Sequence, residues 1–389
     1  MKQVILIAGS FTSANFNVML DVIRSLGEDD IMIHAISANN DPQWMITEYK
    51  DVKYYPVFNN YLDLWGRKNK SLPLKVFSLF QFNVHRISCN FWQDAVERKI
   101  KKQCEEIISH NNIYAVFSVS LQFYTHRVAY SLIKHNPLIK WYPFWLDAYY
   151  DIQVKGFISR CMKHAERTNL RHAPHIYSLL ETFKGNDVIE PFKSKVTYIE
   201  FPYIINRKIE QKNKDIIFAG SFYKNIRNPE PVFDLLFSIL HRLQPGVKFK
   251  FYVRNHDTYT HYAEESKGKI EIHDFVSRKE LSKILSTSYM LLNVGNTNTT
   301  QQPSKVLEYI SYRKPILFFF TDEDDSSFRF FKGYPDVCNI NVKGDKKENA
   351  DHLVDFINSE HEEIKYEDII KESELKKCTP EYLKSIIDF

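Results

Sequence analysis

The chain has 389 residues, of which 44% are hydrophobic and 26% are charged, and its formal net charge is +4 at pH 7. Both fractions are close to those of ordinary globular proteins, which excludes wholesale disorder, and the length favours two domains. The mean hydropathy is -0.38 and no long uncharged apolar run is present, so we predict no membrane-spanning helix. The first residues, MKQVILIAGS, indicate a strand and a turn rather than a signal peptide, so we expect a cytoplasmic protein.

Charge and cysteine content exclude further classes of protein. The small net charge predicts no nucleic-acid binding, because nucleic-acid-binding proteins concentrate basic residues on one face. Five cysteines are scattered without a C-x-x-C pair, so we expect neither a disulfide framework nor a zinc site. Aromatic residues make up 15%, which suits ring stacking on sugars or bases, contact with a membrane interface, or an aromatic-rich core.

Buried strands and amphipathic helices alternate through the first half of the chain. QVILIAG predicts a buried parallel strand, and NFNVMLDVIRSLG predicts an amphipathic helix with Gly27 as its C-cap. Further strands are predicted at IMIHAISA, YAVFSVS, KWYPFWLD and HIYSLLE, and further helices at DAVERKIKKQCEEIISHN, RVAYSLIKHN and around AERTNLRHA. This alternation predicts a parallel sheet covered by helices on both faces.

The same alternation restarts after the polar stretch NRKIEQKNKD. Strands are predicted at IIFAG, VKFKFYV, IEIHDFV, MLLNVG and PILFFF, with helices at PVFDLLFSILHRL, SRKELSKILSTS and QPSKVLEYISYR. The last segment predicts three helices, ADHLVDFINSEH, YEDIIKESELKK and PEYLKSIIDF. We therefore predict an α/β protein with two Rossmann-like domains, residues 1–207 and 208–365, and C-terminal helices in 366–389 that return to the first domain.

The strongest functional signal is the segment NVGNTNTTQQPSKVLEYISYRKPILFFF. A strand ends at Gly295, a polar loop follows, and Pro303 and Ser304 begin a helix. The free N–H groups and positive dipole end of such a helix favour phosphate, and Lys305 adds a positive charge there. Glu308 follows one turn later and can accept hydrogen bonds from a ribose diol. The spacing suits a nucleotide, although an ordinary helix with an exposed glutamate has the same pattern.

The residues PSKVLEYISYRKPIL resemble the donor-site helix of GT-B glycosyltransferases, in the variant common among bacterial polysaccharide enzymes. They also resemble the second half of the E-x7-E motif of the large retaining glycosyltransferase family. The resemblance implies that Glu308 binds the ribose of a nucleotide-sugar donor, with Pro303, Ser304 and Lys305 beside the phosphates. The first glutamate of the motif, which contacts the donor sugar in the family, is replaced in this chain by Thr300.

A second family pattern covers IIFAGSFYKNIRNPEPV. It resembles the first strand and loop of the C-terminal domain in these enzymes, where G-R-x-x-x-x-K supplies two cations to the donor diphosphate. Here Gly220 is followed by Ser221 in place of the arginine, and Arg227 lies one position beyond the expected lysine. We expect Arg227, assisted by Lys224, to bind the diphosphate; the alternative is that both are solvated loop residues.

The first domain supplies the remaining candidate residues. IAGSFTSANF resembles the family's glycine-containing loop that faces the donor phosphates, which implies a role for Gly9 and Ser10. The segment from YAVFSVS to KWYPFWLD looks like the later part of the family's acceptor domain. Ligands of open α/β sheets bind at the carboxyl ends of strands, so we expect His126 and Asp147 on the cleft side as catalytic residues. A structural role is the alternative for the histidine.

Two further stretches bear on metals and membranes. TDEDD, residues 321–325, is best explained as a solvated loop, and we expect no metal ion or other cofactor, because the helix start and the cations can stabilise a departing diphosphate. Residues 53–92 mix aromatic and basic side chains without periodicity. Such a stretch suits contact with an anionic membrane surface, an acceptor-binding insert, or an irregular part of the core.

The resemblance implies two domains that face each other across a cleft and a transferase that moves a sugar from a nucleotide-sugar to a glycan or lipid-linked acceptor. It implies a role in bacterial surface polysaccharide synthesis, with retention of anomeric configuration, at the inner face of the membrane or in the cytoplasm. Two alternatives stay open: a nucleotide-sugar epimerase on the same scaffold, and a non-catalytic nucleotide or sugar binder, which the departures at Ser221 and Thr300 favour.

Overall fold

The chain folds into two compact units, the first formed by residues 1–200 with Phe389 and the second by residues 201–388. The predicted boundaries after residues 207 and 365 stay a prediction, as does the return of the C-terminal helices to the first domain. The computed structural model describes residues 1–11, 13–27, 30–38, 48–57, 95–120, 123–147, 156–179, 187–210, 213–222, 227–254, 256–295 and 304–389.

The first unit is built on a seven-stranded sheet in the order β3-β2-β1-β4-β5-β6-β7. Every neighbouring pair is parallel. The strands are β1 Lys2–Ala8, β2 Ile31–Ser37, β3 Val52–Pro56, β4 Ile113–Val119, β5 Lys140–Trp145, β6 Ile176–Leu179 and β7 Val196–Ile199. The helices are α1 Ala14–Gly27, α2 Ala95–His110, α3 Phe123–His135 and α4 Phe157–His172, with a 3-10 helix at Glu190–Lys195.

The second unit is built on a six-stranded sheet in the order β10-β9-β8-β11-β12-β13, again with parallel pairs throughout. Its strands are β8 Asp215–Gly220, β9 Lys248–Val253, β10 Ile270–His273, β11 Met290–Val294, β12 Ile316–Phe320 and β13 Val337–Asn341. Its α-helices are α5 Glu230–Ile239, α6 Thr260–Glu265, α7 Arg278–Thr287, α8 Ser304–Ser311, α9 Phe328–Phe331, α10 Lys346–Asn358, α11 Tyr366–Ile369, α12 Ser373–Lys376 and α13 Pro380–Ile386. Two 3-10 helices lie at Leu240–Arg242 and His256–Tyr259.

The prediction of an α/β protein with two parallel sheets is confirmed, because the central strands are covered on both faces. In β1 the run from Val4 to Ala8 is at most 1% exposed, and in β11 every residue is buried. A continuous apolar strand is what such double coverage requires. The order of each sheet reverses direction at one point, between β1 and β4 in the first and between β8 and β11 in the second. Ligands of open α/β sheets bind at the carboxyl ends of the strands beside such a point.

Three strands and part of the C-terminal segment differ from the sequence prediction. The strands β3, β7 and β13 were not predicted, because each is short and lies at the edge of its sheet with a mixed burial pattern. The predicted helix YEDIIKESELKK consists of α11 and α12, which are separate because Glu372 between them has an extended backbone (ψ 121°).

Gly27 is required for a reason other than the predicted helix cap. It is the last residue of α1, and its φ is not in the left-handed region. A Cβ at this position would lie 2.5 Å from Cβ of Ile31, the first residue of β2. Glycine therefore allows the short turn from α1 into the next strand.

Within the described residues, no helix combines the length and apolar character needed to cross a membrane. Most of the stretch proposed to contact a membrane, residues 58–92, lies outside the described residues. Its first residues belong to the edge strand β3.

Candidate functional site

Helix α8 is attached to strand β8 of the second sheet by Tyr309. The backbone N–H of Ala219 donates a 2.9 Å hydrogen bond to the Tyr309 hydroxyl, which donates in turn to the Ala219 carbonyl at 3.4 Å. Ala219 is the penultimate residue of β8, so this contact brings α8 to the carboxyl end of the strand beside the reversal in strand order. Ser304 is the first residue of α8, as predicted for a helix that begins in this segment.

Glu308 is held between two cationic side chains. Its Oε1 lies 2.8 Å from a guanidinium nitrogen of Arg278, and its Oε2 lies 3.1 Å from Nζ of Lys305. The carboxylate is only 4% exposed, whereas Arg278 is 19% and Lys305 30% exposed. Lys305 and Glu308 meet because residues three apart lie on the same helix face. Arg278 comes from the first turn of α7, where Ser277 accepts the N–H of Glu280 as N-cap.

The electrostatic balance keeps the carboxyl group of Glu308 ionised. Burial alone would raise its pKa, but the charges of Arg278, Lys305 and Arg207 outweigh burial and hold the pKa at about 2. At Lys305 the neighbouring carboxylate does not outweigh burial. Burial and the charges of Arg278 and Arg227 lower the pKa of Lys305 in spite of its contact with Glu308. We call Arg207, Arg227, Arg278 and Lys305 the cation cluster.

Arg227 lies at the carboxyl end of β8, as the sequence predicted. Its guanidinium donates to the carbonyl of Ser221 at 3.4 Å, and a Cβ on Gly220 would lie 3.5 Å from the same group. That is an ordinary van der Waals distance, and the closer neighbour of such a Cβ is Cζ of Phe218 at 3.2 Å. Ser221, which replaces the family's arginine, contributes a carbonyl oxygen to this contact.

Arg207 is positioned by contacts between α8 and the segment that precedes β8. Ser311 of α8 donates to the Tyr203 carbonyl at 2.8 Å and accepts the N–H of Ile205 at 3.0 Å. Arg313, which follows α8, donates to the carbonyl of Arg207 at 2.9 Å. The Arg207 guanidinium lies 5.4 and 5.3 Å from the rings of Tyr203 and Tyr312. The same helix thus carries Glu308 and fixes the backbone that carries Arg207.

Three predicted donor-site residues, Lys224, Thr300 and Pro303, lie outside the described residues, and their roles stay predictions.

In the first unit, Asp147 follows the end of β5 and contacts one residue of α1 and one residue that follows β4. Asn15, near the start of α1, donates to its Oδ2 at 2.5 Å. Ser120, which follows β4, accepts the N–H of Asp147 at 3.0 Å. Burial raises the pKa of the Asp147 carboxyl group, and the hydrogen bond from Asn15 offsets part of that effect. Asp147 is therefore a half-buried carboxyl group at the carboxyl edge of the sheet.

His126 lies in the interior of the first unit. It is 2% exposed, and its ring stacks on Trp145 with centroids 3.7 Å apart. Its Nδ1 lies 2.8 Å from the Ser118 hydroxyl, which also accepts from Trp141 Nε1 at 2.8 Å. Burial lowers the pKa of His126 to about 3, so the imidazole is neutral near pH 7. The structure encloses this side chain, and its catalytic role stays a prediction.

Gly9 and Ser10 follow β1 at the same edge. The hydroxyl of Tyr124 donates to the Gly9 carbonyl at 3.3 Å, and Ser13 donates to the Ser10 carbonyl at 2.9 Å. Ser13 also accepts the N–H of Phe16 and thereby caps α1. These contacts hold the backbone carbonyls of Gly9 and Ser10.

Comparison with known proteins finds solved structures that are similar to this chain. No protein-family model matches the sequence, and no curated protein matches it. A variant of S. aureus TarM in complex with fondaparinux, α-GlcNAc-glycerol and UDP matches with a TM-score of 0.54 at 12% identity over 99% of both chains. UDP-GlcNAc 2-epimerase from Methanocaldococcus jannaschii matches at 0.53 with 10% identity, again over 99% of both. The UDP-forming α,α-trehalose-phosphate synthase from Burkholderia vietnamiensis matches at 0.50 with 10% identity, over 100% of this chain and 99% of that one.

The chain has a GT-B fold. At 10–12% identity the likeness concerns the fold alone, and the matching structures include a synthase and an epimerase. The activity of this GT-B protein therefore has to be inferred from its own residues.

Three residues of these two sites were missed in the sequence: Arg207, Arg278 and Asn15. Arg278 had a usable signal, because it begins a helix directly after a predicted strand and so lies at the carboxyl edge of the sheet. Arg207 had none, since its segment was interpreted as a polar linker. Asn15 begins a predicted helix, but its contact with Asp147 depends on the neighbouring strand ends.

Among the described residues, no three His, Cys, Asp or Glu side chains come together in a way that could hold a metal ion. The expectation of a metal-independent protein stays a prediction.

Proposed function

We propose that this GT-B protein is a glycosyltransferase that moves a sugar from a nucleotide-sugar donor to a glycan or lipid-linked acceptor. The observation that carries the proposal is the start of α8: an ionised, buried Glu308 with Lys305 and Arg278 on its two oxygens, next to the end of β8. An ionised carboxylate accepts hydrogen bonds from a ribose diol, and the cations bind the phosphates.

The chemistry of glycosyl transfer fits this distribution of charge. Negative charge grows on the departing diphosphate while the sugar becomes oxocarbenium-like, so fixed cations near the leaving oxygens lower the barrier. Lys305 and Arg227 are proposed in that role. Asp147 is proposed as the catalytic carboxyl group of the first unit. Metal independence is part of the proposal, because the helix start and these cations can stabilise the departing diphosphate. Retention of anomeric configuration is also part of it and derives from the resemblance.

The proposed setting is bacterial surface polysaccharide synthesis, in the cytoplasm or at the inner face of the membrane. Lipid-linked acceptors lie at a membrane surface, and residues 53–92 combine aromatic and basic side chains suited to it.

The experiment is a calorimetric titration with UDP, GDP, ADP and CMP, followed by turnover of the matching nucleotide-sugar with and without a lipid-linked or oligosaccharide acceptor. We expect one nucleotide to bind, and Lys305→Met to bind it about tenfold more weakly, the loss of one charge-assisted hydrogen bond. Lys279→Met is the matched control, because Lys279 is an exposed lysine at the start of α7. If no nucleotide binds, the proposal is wrong.

An epimerase is the second candidate, because a UDP-GlcNAc 2-epimerase matches over 99% of both chains. An epimerase converts its nucleotide-sugar without an acceptor, whereas a transferase releases the nucleoside diphosphate only when an acceptor takes the sugar. Analysis of the products with and without an acceptor separates the two. Binding without turnover in either assay would support the non-catalytic binder.

A further inference from the structure

Asn15 holds one oxygen of the Asp147 carboxyl group and leaves the other open. Its amide nitrogen donates to Oδ2 of Asp147 at 2.5 Å and, over a longer distance of 3.4 Å, to the carbonyl oxygen of Ser120. A carboxylate oxygen and a carbonyl oxygen can only accept, so the amide nitrogen of Asn15, rather than its oxygen, faces them. Within the described residues, no hydrogen bond is made to Oδ1 of Asp147. Oδ1 is therefore the oxygen that a ligand can use.

Ser120 fixes the backbone that carries this carboxyl group. Its N–H donates to the Phe144 carbonyl at 3.1 Å, and its hydroxyl accepts the N–H groups of Leu146 and Asp147, each at 3.0 Å. Three hydrogen bonds thus join the end of β5 to the residue that follows β4, and Ser120 is only 6% exposed. Because the backbone is fixed and one carboxyl oxygen is held, the direction of Oδ1 is set before a ligand binds.

Among the described residues, no charged side chain acts on the pKa of Asp147. Burial raises this pKa, and the hydrogen bond from Asn15 lowers it. The neighbouring helix α3 begins with three titratable side chains. The hydroxyl of Tyr124 donates to a backbone carbonyl, His126 is neutral near pH 7 because burial lowers its pKa to about 3, and Arg127 forms an ion pair with a glutamate of α2. The side chain that favours the ionised form of Asp147 is thus the amide of Asn15.

We infer that Asn15 is a positioning residue for Asp147: it holds Oδ2 so that Oδ1 accepts a hydrogen bond from the attacking hydroxyl group of the acceptor. The inference rests on the proposed function for the identity of that hydroxyl group. A hydroxyl group bound by a fixed carboxylate keeps its oxygen oriented for attack, and such orientation lowers the barrier. Without the amide donor, the carboxyl group turns more freely and takes up a proton at higher pH, and it then has less capacity to accept.

The test measures acceptor-dependent turnover as a function of pH for the native chain, Asn15→Leu and Asn15→Asp. Leucine removes the donor at nearly equal size, so the pH below which kcat/KM for the acceptor falls should rise by about one unit, the effect of one hydrogen bond to a charged group. Aspartate keeps the shape but places a second carboxyl group beside the first, so the rise should be larger still. Above this pH, the KM for the acceptor should stay raised in Asn15→Leu. The calorimetric affinity for the nucleotide should be unchanged in both variants.

Asn17→Leu is the matched control, because Asn17 is a half-buried asparagine of the same helix that donates to the Ser13 carbonyl at 2.9 Å. It should leave the pH profile and the acceptor KM unchanged. If Asn15→Leu behaves like Asn17→Leu, the inference is wrong, while acceptor-dependent turnover by the native chain would still support the proposed function. If the native chain shows no such turnover, both are rejected. If Asn15→Leu does not fold, Asn15→Asp decides, and a native pH profile in that variant would then be the contrary result.

Discussion

Asn15 and Asp147, which follow the ends of strands β1 and β5, are joined by a 2.5 Å hydrogen bond from Nδ2 to Oδ2. Asp147 is the carboxyl group proposed for catalysis in the first unit. Its burial raises its pKa, and the amide donor of Asn15 partly compensates for the lost hydration. The protein therefore keeps a carboxyl group at the edge of the sheet where its ionised form is destabilised.

Replacement of Asp147 by asparagine should stabilise the protein at neutral pH and abolish most of its activity. Because the folded pKa is raised, the native state binds more protons than the unfolded state between the two pKa values, and stability falls as pH rises through that window. Asp147→Asn removes this penalty while Asn15 keeps an oxygen acceptor. Thermal denaturation from pH 4 to 8 should show the variant's advantage growing with pH.

The control for Asp147→Asn is Asp355→Asn, an exposed aspartate on α10. It should leave the melting temperature within about 1 °C of the native value, as expected for a surface change. A native chain more stable than Asp147→Asn at every pH would contradict the burial argument.

Replacement of His126 by phenylalanine should make stability less sensitive to acid. Burial lowers the pKa of His126 to about 3, so the unfolded state takes up a proton first as pH falls below about 6.5. The stability lost by pH 4 through this group is on the order of 3 kcal/mol. His126→Phe retains the ring stacked on Trp145 and removes the titration. Urea unfolding at pH 7, 5.5 and 4 measures the difference.

The exposed His110 provides the comparison for this prediction. His110→Gln should follow the native dependence on pH. If His126→Phe loses stability as steeply as the native chain when the pH is lowered, other groups dominate the pH dependence of stability.

Replacement of Gly295 by alanine should destabilise the second unit by about 1–3 kcal/mol, the usual cost of overpacking. A Cβ at this position would lie 2.3 Å from Oδ2 of Asp325, a 4% exposed carboxylate whose other oxygen accepts the N–H of Ser327. The free energy of unfolding in urea tests this. Gly333→Ala is the matched control. A Cβ at Gly333 would lie 3.4 Å from Cγ of Glu372, its nearest neighbour, and that side chain is flexible, so this variant should be nearly neutral. Equal stability of the two variants would refute the steric argument.

Replacement of Tyr309 by phenylalanine should cost about 1–3 kcal/mol and weaken nucleotide binding. The ladder between β8 and β11 pairs only Ile216 and Ile217, so the N–H of Ala219 donates to the Tyr309 hydroxyl instead. Without it, a buried donor loses its partner and α8 loses its attachment to β8. Chemical denaturation and calorimetry measure both effects. Tyr312→Phe, which loses a hydrogen bond to the Ser282 hydroxyl, should cost less. The prediction fails if the two losses are the same.

The sequence by itself determined the fold class and part of the candidate site. Parallel strands buried on both faces appear as continuous apolar runs such as VILIA, and covering helices appear as apolar residues at helical spacing, so local patterns suffice. The pairing of Lys305 with Glu308 also follows from the sequence, because residues three apart share a helix face. The position of Arg227 after β8 follows from the end of the strand.

Tertiary structure alone decided what surrounds those residues. Arg278 reaches Glu308 from α7, and Asn15 reaches Asp147 from α1, because the order of strands in each sheet brings separate strand ends to one edge. That order is not encoded in local periodicity. It also sets the pKa of these groups, since the effect of burial is outweighed at Glu308 by neighbouring cations and is offset only in part at Asp147 by an amide.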